Sequence, residues 1–238
     1  MQRFPDYWIL WHDKALFERT LNQKDDAAVS YQKAIDLHYE DGWFWSWQDL
    51  GDLYNEGLKD FARSIEFYNR AIERAAAEEK GHEWRAWHGR ANALRRLKKY
   101  DKAIEAYDKT IELHGEGFPW CWYALGDCHQ QKKPSSLVRA FECYCRSLDL
   151  EAGYERAQEA RDALLVDFKR VLHQHLDAHL NLDRFRTLCF YLDVDYDSLP
   201  GEGKSGKVRE LILHLQVRDQ LLRLIEQVRR VLPGIELP

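Results

Sequence analysis

Four segments of the chain repeat one pattern: AVSYQKAIDL, SIEFYNRAIER, AIEAYDKTIEL and AFECYCRSLDL. Each begins its pattern on a small residue (Ala27, Ser64, Ala103, Ala140) and places a tyrosine four positions later (Tyr31, Tyr68, Tyr107, Tyr144). Three further on comes a second small residue (Ala34, Ala71, Thr110, Ser147), then an aliphatic one (Ile35, Ile72, Ile111, Leu148). Steps of four and three put the set on one face of a helix. Small residues let a neighbouring helix come close, and the tyrosine fills the space beside it. A unit of this size cannot bury its apolar face alone, so copies must stack into an array. Strand-like alternation is hard to find, and the expected fold class is all-α.

Upstream of each segment stands a tryptophan on a second expected helix: Trp11, Trp47, Trp87 and Trp122. Two of them open W-x-x-L-G-D in full, Trp47 to Asp52 and Trp122 to Asp127. Taken with A-x-x-x-Y-x-x-A downstream, this resembles the tetratricopeptide repeat, a helical hairpin that builds a solenoid. Four copies cover roughly residues 8–150. The copies are longer than the common repeat, and the first has Lys14 and Ala15 where Leu-Gly belongs. The resemblance implies a concave groove lined by the first helix of each pair. By its register the groove positions are Trp45, Gln48, Asp52 and Asn55 in the second repeat. In the third they are Arg85, His88, Asn92 and Arg95, and in the fourth Trp120, Tyr123, Asp127 and Gln130. An acidic step beside a basic one, rimmed by aromatics, suits a bound peptide or protein. The anchors Trp11, Trp47, Trp87 and Trp122 are expected in the repeat core. The first-helix lysine with which some arrays clamp a C-terminal carboxylate is missing, since His12, Gln48, His88 and Tyr123 occupy the matching places.

After Leu150 the signature stops. A long helix is expected over 154–179, part of it covering the open end of the array. Asn181 is a good cap for a helix carrying Phe185, Leu188 and Cys189. A third helix should follow Ser205 as its cap, and a fourth should run from about Arg218 to Val231. The boundaries expected are an array over 1–154, a capping and connecting helix over 155–178, and the rest of a small helical bundle over 179–238, the bundle's domain starting near 160. Leu188-Cys189-Phe190, Val194-Asp195-Tyr196, Leu199-Pro200-Gly201-Glu202-Gly203-Lys204 and Lys207-Val208-Arg209-Glu210-Leu211 resemble the death-like effector-associated domains of bacterial conflict systems. Asp193 stands where that pattern commonly has glycine. The resemblance implies an adaptor that pairs with a like domain on a protease, NTPase or other effector. Asp195, Asp197 and Glu202 would form an acidic face and Lys204 and Lys207 an exposed basic edge, suited to head-to-tail pairing.

Other chemistry fits poorly. Gly201 to Lys207 has the G-x-x-x-x-G-K spacing of a phosphate-binding loop, but Val208 replaces the hydroxyl that holds magnesium, and FYLDVDYDS before it is no buried strand. Asp193 to Asp197 begins like a calcium loop, yet Ser198 and Lys204 stand where glycine and glutamate are required. His175 and His179 share a helix face without the glutamate of a zincin, and Cys121 with His129 lacks an orienting group. No metal, cofactor or enzyme activity is expected, and a small-molecule ligand is not expected either. A net charge of −5 and a pI near 6.1 give no reason to expect nucleic acid or an anionic membrane. Tyr7 to Trp11 is too short an apolar run for a leader or a membrane span. Five irregularly spaced cysteines suit a reducing, cytoplasmic setting. The expected role is a non-enzymatic adaptor of an antiviral or programmed-death system. The alternative is a regulatory substrate or inhibitor cut by its protease, near 150–160 or within 195–207.

Overall fold

The computed structural model describes residues 7–38, 43–78, 81–132 and 136–237, and among them there is no β-strand. The helices run α1 (Tyr7–Thr20), α2 (Lys24–Leu37), α3 (Phe44–Asp52), α4 (Phe61–Glu78), α5 (Glu83–Arg96), α6 (Tyr100–His114), α7 (Pro119–Gln131) and α8 (Leu137–Leu150). Then follow α9 (Glu155–His179), α10 (Leu182–Tyr191), α11 (Gly203–Val217) and α12 (Leu221–Val231). The chain divides into two compact units, Met1–Cys128 and His129–Pro238.

In the first unit α1 packs on α2, α3 on α4, α5 on α6, and α2 and α4 each on the hairpin that follows. This is the hairpin solenoid that the repeated segments require. Tyr31, Tyr68 and Tyr107 are wholly buried, with Ala27, Ala34, Ala71, Ala103 and Ser64 beside them. In the second unit Tyr144 is buried in the same way, between Ala140 and Ser147. The anchor tryptophans Trp11, Trp47, Trp87 and Trp122 are all half-buried. Trp47 lines the margin of a core made by Ala15, Tyr31, Leu50 and Leu53. Trp122 stays at the surface with its indole N–H donated to the Glu116 carbonyl at 2.8 Å. The tyrosine, not the tryptophan, is the central plug of each hairpin.

The first three hairpins turn alike. Asn22, Lys59 and Lys98 take left-handed φ of 60°, 60° and 57°, just past α1, the turn Leu53–Leu58 that extends α3, and α5. In the first and third, the next N–H returns to a carbonyl five residues back, Gln23 to Glu18 and Lys99 to Leu94. This satisfies helix-end carbonyls that otherwise lack partners. The second hairpin has one residue more between its Trp and Tyr than the first or third. A π-helical turn, Leu53–Leu58, absorbs it, and the closing bond becomes Asp60 N–H to the Tyr54 carbonyl.

In the second unit α8 packs on α9, α9 on α11, and α12 on both α10 and α11. Phe168, Leu172, Leu176, Phe185, Leu188, Val208, Leu211, Leu215, Leu224 and Val228 form its buried interior. Asn181 caps α10 as its sequence position requires, its side-chain oxygen accepting the Arg184 N–H at 2.8 Å. Two expected boundaries move. Helix α11 begins at Gly203 behind Glu202, so Ser205 lies inside the first turn and is not the cap. Helix α12 begins at Leu221, because Asp219 takes a left-handed φ of 53° and ends the preceding helix.

Candidate functional site

The inner faces of α1, α3, α5 and the start of α7 carry the residues that the repeat register put in the groove, but many of them serve the fold. Tyr68 donates its hydroxyl to Asp52 at 2.7 Å, and Tyr107 donates to Asn92 at 2.6 Å. In the second unit Tyr144 donates to Gln130 at 2.7 Å. A buried phenol needs an acceptor, and each of these hairpins supplies one from its own first helix. Gln48 is buried and donates to Asp52 at 3.2 Å, while Asn55 is buried as well. Arg95 donates to Asp127 at 2.8 Å, so these two satisfy each other across neighbouring first helices. His88 stacks edge-on against Trp120 at 4.2 Å, and burial followed by the Arg95 charge drives its pKa down to about 3. The expectation of a free acidic step beside a free basic step is therefore corrected. Asp52, Asn92, Arg95 and Asp127 are bound within the array, and His88 is neutral at pH 7.

What the array does present is aromatic. Trp8, Trp43, Trp45, Trp84, Phe118 and Trp120 lie at the N-terminal ends of the first helices, and all six are half-buried. Ring contacts join Trp8 to Trp43 at 4.8 Å, Trp43 to Trp45 at 6.5 Å, Trp84 to Phe118 at 5.0 Å and Phe118 to Trp120 at 4.7 Å. The exposed guanidinium of Arg85 bridges the two groups, over Trp45 at 5.5 Å and over Trp84 at 4.8 Å. Trp45, Arg85 and Trp120 are thus brought together as the sequence suggested, whereas Trp8, Trp43, Trp84 and Phe118 were missed. The signal was present, since Trp8 and Trp84 precede their anchor tryptophans by three positions and Trp43 and Phe118 by four. Tyr123 is half-buried in the same helix as Trp120.

A polar cluster lies behind the rim. Asp49 sits 3.4 Å from His12 and 3.6 Å from Arg19, and His12 also meets the Ser46 hydroxyl at 3.2 Å. Burial and the neighbouring Asp52 push the Asp49 pKa up to about 6, and burial lowers that of His12. A carboxyl whose folded pKa is raised binds its proton more tightly in the folded state, so stability falls as pH rises from about 4 to about 6. Asp49→Asn is expected to remove that fall, read as a flatter melting temperature across this window in the variant than in the parent. A profile of unchanged slope would sink the assignment.

In the second unit the LPGEGK segment is a clasp. Gly201 has a φ of 105°, and a Cβ there would lie 2.8 Å from the Gly206 backbone, so two stretches of main chain touch. Lys204 donates to the Asp177 and Leu180 carbonyls, the second at 2.8 Å, and stands 3.5 Å from the Asp177 carboxylate. Its ammonium thereby closes the C-terminal end of α9, where the helix dipole is negative. Lys207 donates to the Tyr196 carbonyl at 2.9 Å and lies 4.5 Å over the Tyr196 ring. Both lysines are half-buried, which corrects the expectation of an exposed basic edge. Asp195, Asp197 and Glu202 are exposed as expected. Asp193, at the position where the resemblance calls for glycine, takes φ 56° and accepts a 2.6 Å bond from Arg223.

No built catalytic set emerges among the described residues. Cys121 and Cys128 are buried, and burial raises both thiol pKa values to about 12, far from a thiolate at neutral pH. Among the described residues no three His, Cys, Asp or Glu side chains converge to hold a metal ion, and no helix is long and apolar enough to cross a membrane.

Comparison with known proteins agrees with this geometry. Residues 46–78 and 84–116 match tetratricopeptide repeat models, and residues 172–233 match effector-associated domain 7. The chain carries tetratricopeptide repeats and an effector-associated domain. Solved structures of the same fold include the MamA protein, 19% identical over 74% of this chain and 98% of that one, with a TM-score of 0.57. They also include pilF of Pseudomonas aeruginosa, 16% identical over 96% and 93% with a TM-score of 0.55. A third is YrrB, described as a tetratricopeptide protein with an unusual peptide-binding site, 12% identical over 94% and 86% with a TM-score of 0.53. No curated protein matches the chain.

Proposed function

We propose that this protein is a non-enzymatic, cytoplasmic adaptor of a conflict system of the antiviral or programmed-death kind. The repeat array, residues 1–154 on the sequence division, holds a protein partner. The death-like domain that begins near 160 recruits an effector by pairing with a like domain. The observation that carries this reading is the union in one chain of an aromatic-rimmed repeat array with an effector-associated domain. Repeats of this kind are interaction scaffolds, and effector-associated domains link a chain to an effector. Aromatic and arginine side chains are the types that dominate protein interfaces, and Trp45, Arg85, Trp84 and Trp120 supply them on the array. On the second domain the exposed carboxylates Asp195, Asp197 and Glu202 are the partner-facing charges.

The test is capture of a protein that carries a matching effector-associated domain. Wild-type chain is expected to hold it through a wash, and Asp195→Lys with Asp197→Lys is expected to lose it. For the array, Arg85→Glu with Trp45→Ala is expected to weaken capture of its partner at least about tenfold without loss of helicity. Unchanged capture by that variant would move binding away from the rim. A second reading, cleavage by a conflict-system protease, is favoured by Glu151, Ala152 and Gly153, all exposed between α8 and α9. The 195–207 loop is a poorer target, held as it is by both lysines. A defined nick at 151–153 with no stable complex would favour this second reading.

A further inference from the structure

Helix α1 has two faces, and only one is covered by the array. His12, Ala15 and Glu18 point inward, with Glu18 fixed by the Ser30 hydroxyl at 2.6 Å. On the opposite side Tyr7, Leu10, Lys14, Phe17 and, just past the helix, Leu21 follow one another at steps of three and four. That is the spacing of a seam made to pack against another helix, interrupted by one lysine of the sort that fixes register. The seam is bare: Leu10 is 62% and Phe17 63% exposed. Helix α2 continues the surface with exposed Val29 and Leu37 on either side of Lys33, whose ammonium reaches across to the Trp11 ring at 4.2 Å. The two helices therefore offer one continuous apolar face, which no described part of the array covers.

We propose that this face is an interface between two copies of the chain, α1 of each copy lying on α2 of the other. Tyr7, Leu10, Phe17, Leu21, Val29 and Leu37 are each more than half exposed on this face, and a standard stable interface takes roughly 800 Å² from each partner. Monomeric proteins rarely leave so large an apolar patch uncovered. The charges match this exchange of helices. Exposed Asp13 on α1 has exposed Lys33 on α2 as its counterpart, and exposed Lys14, which also pairs with Glu18 of its own helix at 3.2 Å, has exposed Asp25, Asp26 and Asp36. A two-fold pair uses each such match twice, since what one copy's α1 meets the other's α1 meets as well. The consequence is an adaptor that displays two effector-associated domains per assembly, raising the local concentration of whatever they recruit.

Sedimentation equilibrium of the full chain, over roughly 1 to 100 µM, tests this directly. The wild type is expected to behave as a dimer. Leu10→Glu with Phe17→Glu on α1, and separately Val29→Glu with Leu37→Glu on α2, are each expected to weaken the dimer at least about 100-fold. Circular dichroism should be unchanged in both, because the replaced side chains already face solvent. A wild type that stays monomeric throughout the range overturns the proposal. So does a dimer that survives both pairs of substitutions, which would place self-association elsewhere, as in pairing through the C-terminal domain.

Discussion

Gly89→Ala is expected to destabilise the repeat array by about 2–3 kcal/mol, as overpacking of a filled core does. The side chain it would strike is Tyr68, the plug of the second hairpin. A Cβ on Gly89 would stand 2.4 Å from two carbons of the Tyr68 ring and 2.8 Å from its hydroxyl. The ring has nowhere to go. On its other side a Cβ on Gly51 would already be 2.7 Å away, and the hydroxyl is tied to Asp52. Tyr68 is thus clasped between α3 and α5, so the clash would be transmitted to the packing of successive hairpins. Urea unfolding followed by circular dichroism measures the loss. Tyr68→Ala alone should cost about 3–5 kcal/mol, the usual range for removing a core aromatic. The combination Gly89→Ala with Tyr68→Ala should cost clearly less than the sum, because the ring that clashes is gone. Additive losses would show that Gly89 does not clasp this ring.

Gly51 is legible in the sequence and Gly89 is not, for a physical reason. Gly51 occupies a position four past the anchor tryptophan that is small in every hairpin, as Ala15, Ala91 and Gly126 show. Repetition makes such a position visible. Gly89 answers a tyrosine of the preceding hairpin, a contact that no alignment of the hairpins with one another displays. The same holds for the polar residues of the inner face. Their helix and side follow from a 3.6-residue period, which is local information. Whether Asp52 or Arg95 is free depends on partners 16 and 32 positions away. Spacing alone puts them on the right face and leaves their occupation open. The left-handed turns at Lys59 and Lys98 are hidden for another reason: lysine does not mark the conformation, whereas Asn22 is of a type that favours it.

The two lysines of the LPGEGK segment carry the second large effect. Their charge suggests a surface edge, yet Lys204 spends its ammonium on the last carbonyls of α9, 24 and 27 residues earlier. Lys204→Met is therefore expected to leave those carbonyls unpaired and lower the stability of the second unit by about 1–3 kcal/mol. Lys204→Glu should cost more, because it sets a carboxylate beside Asp177 and at the negative end of a helix. Lys207→Glu adds the loss of the Tyr196 carbonyl bond and of the cation over its ring. Charge reversal at both lysines is then expected to abolish recruitment by loosening the domain, and no charge-swapped partner should rescue it. The exposed carboxylates behave in the opposite way. Asp197→Asn and Glu202→Gln should leave stability within about 0.5 kcal/mol, as surface changes usually do, while reducing recruitment in a manner that added salt imitates. Parallel thermal melts and pull-downs on the same variants separate the two cases. A Lys204→Glu chain that melts like the wild type but has lost its partner would return the lysine to the interface and undo the clasp.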